Sequence, residues 1–130
     1  MMIMQAEIVA IGAQAIDAAE PLVILFNEQA TPAIKAVALI QRFTTANQSE
    51  RLTMTTQSIV VIDGQHYQVT YVGALVNENL NNIGHVALIF DSAPEEDQLQ
   101  SGLYLTPKDA SLQGKPDFKV GTLIQYQETM

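Results

Sequence analysis

At 130 residues the chain is one domain's worth of sequence, too short to hold a cofactor-binding half beside a separate substrate half. Hydrophobic residues make up 48% and charged residues 15%, the latter below the usual share of roughly 25%, so the chain can bury a core and draws its polarity from uncharged amides. A net charge of −8 opposes a phosphate-backbone partner, and the absence of cysteine excludes disulfides, thiolate metal sites and cysteine nucleophiles.

No apolar run approaches the ~18 residues of a membrane span. The start Met1-Met2-Ile3-Met4 lacks the basic and long apolar regions of a signal peptide. A soluble cytoplasmic protein, without nucleic acid as a partner and not inserted in a membrane, is the expectation.

Apolar runs of about five residues, separated by Gly, Pro, Asn or Asp, have the spacing of an all-β protein. The first predicted strand is 5–11. A helical piece over 13–20 follows, Ala-rich, carrying Asp17 and Glu20 and stopped by Pro21. Strands are expected at 22–26 and 35–43, then a polar, hairpin-like connection over 44–56 and strands at 57–62 and 65–73. Asp63-Gly64 between the last two predicts a two-residue type I′ hairpin, because both central residues need positive φ. That turn sets Ile62 opposite Gln65, Val61 opposite His66 and Val60 opposite Tyr67, with Val60, Ile62, Tyr67, Val69 and Tyr71 on the buried side and His66 on the polar side.

A second helix is predicted over 77–83, with Asn77 as N-cap, Glu78 at the positive end of the dipole, apolar Val76, Leu80 and Ile83 on one face, and Gly84 in the left-handed C-terminal position. His85 then sits where helix hands over to strand. Strands at 85–90, 101–105 and 118–126 complete the chain, the last with Phe118, Val120, Ile124 and Tyr126 on one face. The acidic run Pro94-Glu95-Glu96-Asp97 reads as a solvated loop.

An echo links Val9-Ala10-Ile11-Gly12-Ala13 and Leu22 to Asn27 with Thr70-Tyr71-Val72-Gly73-Ala74 and Val86 to Asp91, about 61 to 64 residues later. It predicts duplicated halves, about 1–60 and 61–130, whose strands close together into one β-barrel with two short helical segments.

The sequence has no Gly-rich phosphate loop, no His-Glu-x-x-His and no Gly-x-Ser-x-Gly. Two histidines, even with Glu78 and Asp91 nearby in sequence, are too few to indicate a metal site, so no metal or other cofactor is expected. A single histidine can still accept a phosphoryl group through a neutral ring nitrogen. It needs an exposed nitrogen, a second hydrogen bond to fix the tautomer, and donors for the incoming oxygens. His85 and His66 are the candidates, with the turn amides beside His85 as donors. The bland alternatives are a semi-buried His85 bonded to a carbonyl and a plain exposed His66.

The run from Val72 to Asp91, above all Asn79-Leu80-Asn81-Asn82-Ile83-Gly84-His85-Val86, closely resembles the glucitol/sorbitol-specific IIA component of the bacterial phosphoenolpyruvate-dependent sugar phosphotransferase system. Ile11-Gly12-Ala13 with Asp17, Phe26 with Glu28 and Pro32, Gly64-Gln65-His66 and Gly121-Thr122-Leu123-Ile124 fall in the family's order. The resemblance implies a cytoplasmic β-barrel that takes a phosphoryl group from the phosphocarrier protein and passes it to the sugar-specific IIB component, while the membrane IIC component imports sorbitol. It also implies an acceptor histidine at the end of the strand Ala36-Val37-Ala38-Leu39-Ile40, where this chain has Gln41, which has no nucleophilic nitrogen.

Three functions are consistent with this departure: a carrier that uses His85 or His66, a degenerate IIA-like regulatory or binding module, and a small-molecule-binding barrel. Gln41 is expected at the surface within reach of His85 or His66, and a histidine restored there is expected to supply the missing nucleophile.

Overall fold

The computed structural model describes residues 3–44, 51–96, 99–109, 111 and 115–129. Eight strands, β1 (Ile3–Ile11), β2 (Leu22–Phe26), β3 (Leu39–Phe43), β4 (Ile59–Ile62), β5 (Gln65–Val72), β6 (Val86–Ile89), β7 (Gly102–Pro107) and β8 (Leu123–Gln127), form a closed barrel in the order β1-β3-β2-β6-β7-β5-β4-β8. Closure pairs each of these strands on both sides, so among the described residues no edge is left as a template for another chain. Two neighbours, β2·β3 and β6·β7, run parallel and the rest antiparallel. Each parallel pair needs a crossover, supplied for β2·β3 by 27–38 with helix α1 (Pro32–Lys35) and for β6·β7 by the connection between Ile89 and Gly102. Helix α2 (Val76–Ile83) joins β5 to β6. Among the described residues no helix is long and apolar enough to cross a membrane.

The hairpin forms as the turn chemistry requires. Asp63 and Gly64 have φ of 46° and 84°, and the register sets Ile62 against Gln65, Val61 against His66 and Val60 against Tyr67. Val60, Ile62, Tyr67 and Val69 fill the barrel, but Tyr71 does not join them. A register shift between Val69 and Tyr71 adds one residue to β5 and turns Tyr71 outward, edge-on to Tyr104 at 5.7 Å.

Other expectations fail for local reasons. Instead of a strand from residue 35, Pro32 begins α1, and Thr31 Oγ1 accepts from the Ile34 amide at 3.4 Å, so β3 starts only at Leu39. The segment 13–20 is a set of turns. The Asp17 carboxylate accepts from the Ala19 amide at 2.9 Å, competing with helical bonding in a connection that must span only the gap between Ile11 and Leu22. The last strand begins at Leu123 rather than 118, because Gly121 adopts φ 98° and Thr122 closes a turn on Lys119, leaving Val120 63% exposed. Of the acidic run, Pro94, Glu95 and Glu96 lie at or near the surface and Asp97 is outside the described residues, as are residues 45–50 of the polar connection. The rest of that connection runs extended under α2, with Leu52 and Met54 buried.

Asn77 is not the N-cap of α2; that position is Leu75, without a side-chain cap. The Asn77 amide instead grips the backbone of Met54 (2.7 Å from its N–H, 3.1 Å to its C=O), and Asn81, one turn on, grips Leu52 in the same way at 2.8 and 2.7 Å. The two-residue step of an extended chain matches the four-residue step of a helix face, which fixes the connection across the barrel end.

Gly12 and Gly73, 61 residues apart, occupy matching positions. Gly12 N–H donates to Ala38 O at 3.0 Å and Gln14 N–H to Ala36 O at 2.9 Å; Gly73 N–H donates to Gly102 O at 2.9 Å and Leu75 N–H to Gln100 O at 2.8 Å. Bulges precede both glycines at the same distance, between Ile8 and Ala10 and between Val69 and Tyr71. On β2 and β6 the spacing is 63, since Val23 and Leu25 share the interior with Val86 and Leu88. The spacing of 64 that aligns Phe26 with Phe90 sets inward Val23 against outward Ala87, so the two phenylalanines have unlike surroundings.

A Cβ added at Gly12 would stand 2.1 Å from Lys35 O, and at Gly73 2.4 Å from Gln100 O, with backbone on the far side in each case. Gly12→Ala and Gly73→Ala are each expected to destabilise the barrel by about 1–3 kcal/mol or more. Gly64→Ala, where nothing lies within 4 Å and only φ is strained, is expected to cost about 1 kcal/mol. Denaturant midpoints of the three variants check the order.

Candidate functional site

The register places the two histidines at opposite ends of the barrel. His66 is the second residue of β5, beside the Asp63-Gly64 turn. The strand runs roughly 20 Å further, at about 3.3 Å per residue, to Val72, which pairs with Leu103, itself level with Leu88 of β6. His85 immediately precedes β6 and so belongs to that far end, under α2.

His66 is exposed and borders a shallow cavity of about 410 Å³ with Gly64, Gln65, Lys108 and Asp109. Its side chain has no hydrogen bond among the described residues that would fix a tautomer; the contact to Lys108 is backbone only, at 2.9 Å. Asp91 follows Phe90 at the end of β6 away from His85, and Glu78 is exposed on α2, so the carboxylates nearest in sequence do not gather around one histidine.

The His85 end is built by the C-terminus of α2. Gly84 takes φ 61° and ψ 24°, the left-handed stop expected of it, and its N–H and that of His85 both turn back to Asn79 O. The amides expected to receive phosphoryl oxygens are therefore occupied by the cap. Asn27 N–H donates to Ile83 O at 3.1 Å, and a Cβ on Gly84 would come within 2.9 Å of Asn27 Cβ, so only glycine allows helix and loop to cross this closely.

The half-buried ring of His85 stacks on Phe26, centroids 4.1 Å apart and planes inclined by 17°. Its Nδ1 lies 3.1 Å from Leu25 O. A carbonyl only accepts, so Nδ1 carries the proton and Nε2 keeps its lone pair in the neutral ring. Nε2 has no partner among the described residues, and none of their buried side-chain nitrogens or oxygens lacks a hydrogen bond; Nε2 therefore reaches solvent. A cavity of about 250 Å³ opens beside Phe26, Asn27, Ile34 and Ile83.

Gln41 is at this end but not at the surface. It is 0% exposed and points into the barrel opposite Ile8. Gln41 Nε2 donates to Gly84 O at 2.8 Å, and Tyr126 O–H donates to Gln41 Oε1 at 2.8 Å. The expectation of an exposed Gln41 fails because its neighbours Ile40 and Arg42 belong to a strand with one face inside a closed barrel, and the register turns Arg42, not Gln41, outward. Arg42 and Glu28 form an exposed contact at 4.0 Å, a geometry that contributes little. Sequence reasoning does not single out Tyr126, Leu25 or Phe26 as parts of this site. Tyr126 offers one signal: a hydroxyl on the inward face of an alternating strand requires a buried partner.

Burial holds the Tyr126 hydroxyl well above the ordinary tyrosine value of about 10. The folded state thus prefers the protonated phenol, and stability fully present below pH ~10 is expected to fall as pH rises past it, because only the unfolded chain ionises readily there. Tyr126→Phe leaves Gln41 Oε1 buried without a donor and is expected to cost about 1–3 kcal/mol at neutral pH while flattening that alkaline loss. Urea unfolding of both proteins between pH 7 and 11 measures the two effects.

The sequence profile of the phosphotransferase-system glucitol/sorbitol-specific IIA component matches residues 3–125. The crystal structure of a phosphotransferase-system IIA component from Enterococcus faecalis V583 superposes with a TM-score of 0.82 at 35% identity, covering 96% of this chain and 100% of that one. No curated protein matches the chain.

Proposed function

The chain belongs to the glucitol/sorbitol-specific IIA components of the phosphotransferase system, and from that membership we propose that it relays a phosphoryl group with Nε2 of His85 as the acceptor. The family implies phosphoryl relay. The donor in this reading is the phosphocarrier protein, the recipient the sugar-specific IIB component beside its IIC partner, and the place the cytoplasm. The single observation that carries the reading is the His85 ring itself. Leu25 O holds the proton on Nδ1, Phe26 holds the plane, and Nε2 presents a lone pair to solvent.

In the transfer, that lone pair forms a bond to phosphorus while the bond from phosphorus to the donor's nitrogen breaks, its electron pair returning to the donor ring. The Nδ1 proton stays on His85, and its bond to Leu25 O supports the positive charge that develops in the ring. An acidic chain suits a basic-faced carrier, because complementary fields speed encounter. In the same reading the chain is one domain of two related halves, about 1–60 and 61–130, supported by the matching glycines, bulges and hydrogen bonds.

A second reading, a IIA-like regulatory or binding module without transfer, is favoured by one observation: the N–H groups of Gly84 and His85 are both occupied by Asn79 O and cannot cradle phosphoryl oxygens. Phosphoenolpyruvate-dependent labelling with the two general phosphotransferase proteins decides between them. Acid-labile, base-stable label that survives His66→Ala and vanishes in His85→Ala is the expected outcome. No label on the wild type would favour the module. Gln41→His is not expected to add a second acceptor, since its ring would be buried between Tyr126 O–H and Gly84 O, so His85→Ala combined with Gln41→His should remain unlabelled.

A further inference from the structure

We infer that Gln41 is a positioning residue for His85, so that the side chain standing where an acceptor is expected instead aims the ring of its neighbour across the barrel. The hydrogen bonds run in one direction. Tyr126 O–H donates to Gln41 Oε1, which leaves the Gln41 amide with only its NH₂ to offer, and that NH₂ donates to Gly84 O at 2.8 Å. The Gly84 carbonyl belongs to the peptide whose nitrogen is His85 N. Pulling the carbonyl into the barrel sets the plane of that peptide, and the opposite side of the plane carries His85 N–H toward Asn79 O at 3.3 Å. One peptide plane is thus clamped from both sides, immediately before the Cα that carries the imidazole.

From that Cα the ring lies flat on Phe26 with Nδ1 at 3.1 Å from Leu25 O. At the left-handed Gly84, φ 61°, the backbone holds the N–H side of the cap through Asn79 O, and Gln41 adds an anchor on the carbonyl side of the same corner. The anchor is buried: Gln41 and Tyr126 are both 0% exposed, and a hydrogen bond between fully satisfied groups inside the barrel has no water competing for it. Leucine, the residue at the matching position of the second half, Leu105, would fill the space and offer no donor.

The inference rests on the His85 reading only for its effect on transfer; its effect on the ring can be seen without phosphate. In ¹⁵N-labelled protein, histidine side-chain resonances are expected to show His85 as a single neutral tautomer, protonated at Nδ1. Gln41→Leu is expected to convert it to a mixture of the two tautomers, and Gln41→His, whose ring can donate to Gly84 O and accept from Tyr126, to restore the single form. Labelling kinetics should follow, with the maximal rate at least 10-fold lower in Gln41→Leu, an unchanged half-saturating carrier concentration, and recovery in Gln41→His.

A folded Gln41→Leu protein that keeps the single tautomer and the wild-type rate would overturn the inference. If Gln41→Leu does not fold, Tyr126→Phe, which removes the first donor of the chain, replaces it: a partial shift in tautomer supports the inference and none overturns it. Wild-type protein that takes no label would defeat the acceptor reading alone, since the tautomer comparison still decides the role of Gln41.

Discussion

The amide of Gln41 connects the barrel's interior to the end that carries His85. A primary amide has a donor and an acceptor on one rigid plane, and here they are used on two elements that no backbone ladder joins directly, β8 through Tyr126 and the α2–β6 corner through Gly84. Both partners are groups whose burial would otherwise be penalised, a phenol hydroxyl and a peptide carbonyl. The polar set is closed, with no buried side-chain nitrogen or oxygen among the described residues left unpaired, so the interior can carry it without loss of cohesion.

The same end depends on two further side-chain amides. Asn77 and Asn81 hold Leu52 and Met54 across the opening, which turns an irregular connection into a lid whose apolar side chains join the barrel core. The opposite end has no such helix, because Ile11 to Leu22 is spanned by a shorter connection than Val72 to Val86 and is turned by Asp17. There Lys115 Nζ ties the loop by donating to Asp17 O and Glu20 O at 2.6 and 2.9 Å. The two ends of a barrel with recurrent internal bonding have therefore become chemically different, and only one presents a histidine with a fixed tautomer.

Local chemistry is legible wherever a short-range constraint has no competitor. Asp63-Gly64 specifies its turn and register, Gly84 its left-handed stop, and the short apolar runs an all-β barrel with strands near the expected places. Faces are legible until a bulge intervenes. Period two carried through Thr70 puts Tyr71 inside, and nothing in a run of alternating residues marks where one will be skipped. Thr31-Pro32 and Gly121-Thr122 are readable as breaks in principle, but the apolar residues beside them resemble strand and mask the signal.

The site divides along the same line. His85, His66 and the departure at Gln41 come from the sequence, since residue identity alone says which side chain has a nucleophilic nitrogen. That His85 and His66 lie at opposite ends, that Gln41 is buried, and that Leu25 O selects the tautomer are decided by tertiary structure. Each depends on contacts between segments far apart in the chain, 43 residues for Gln41 to Gly84, 60 for His85 to Leu25 and 85 for Tyr126 to Gln41. A backbone carbonyl is present at every position and carries no mark in the sequence, so which one faces an imidazole is settled only when the barrel closes and its register brings the two together.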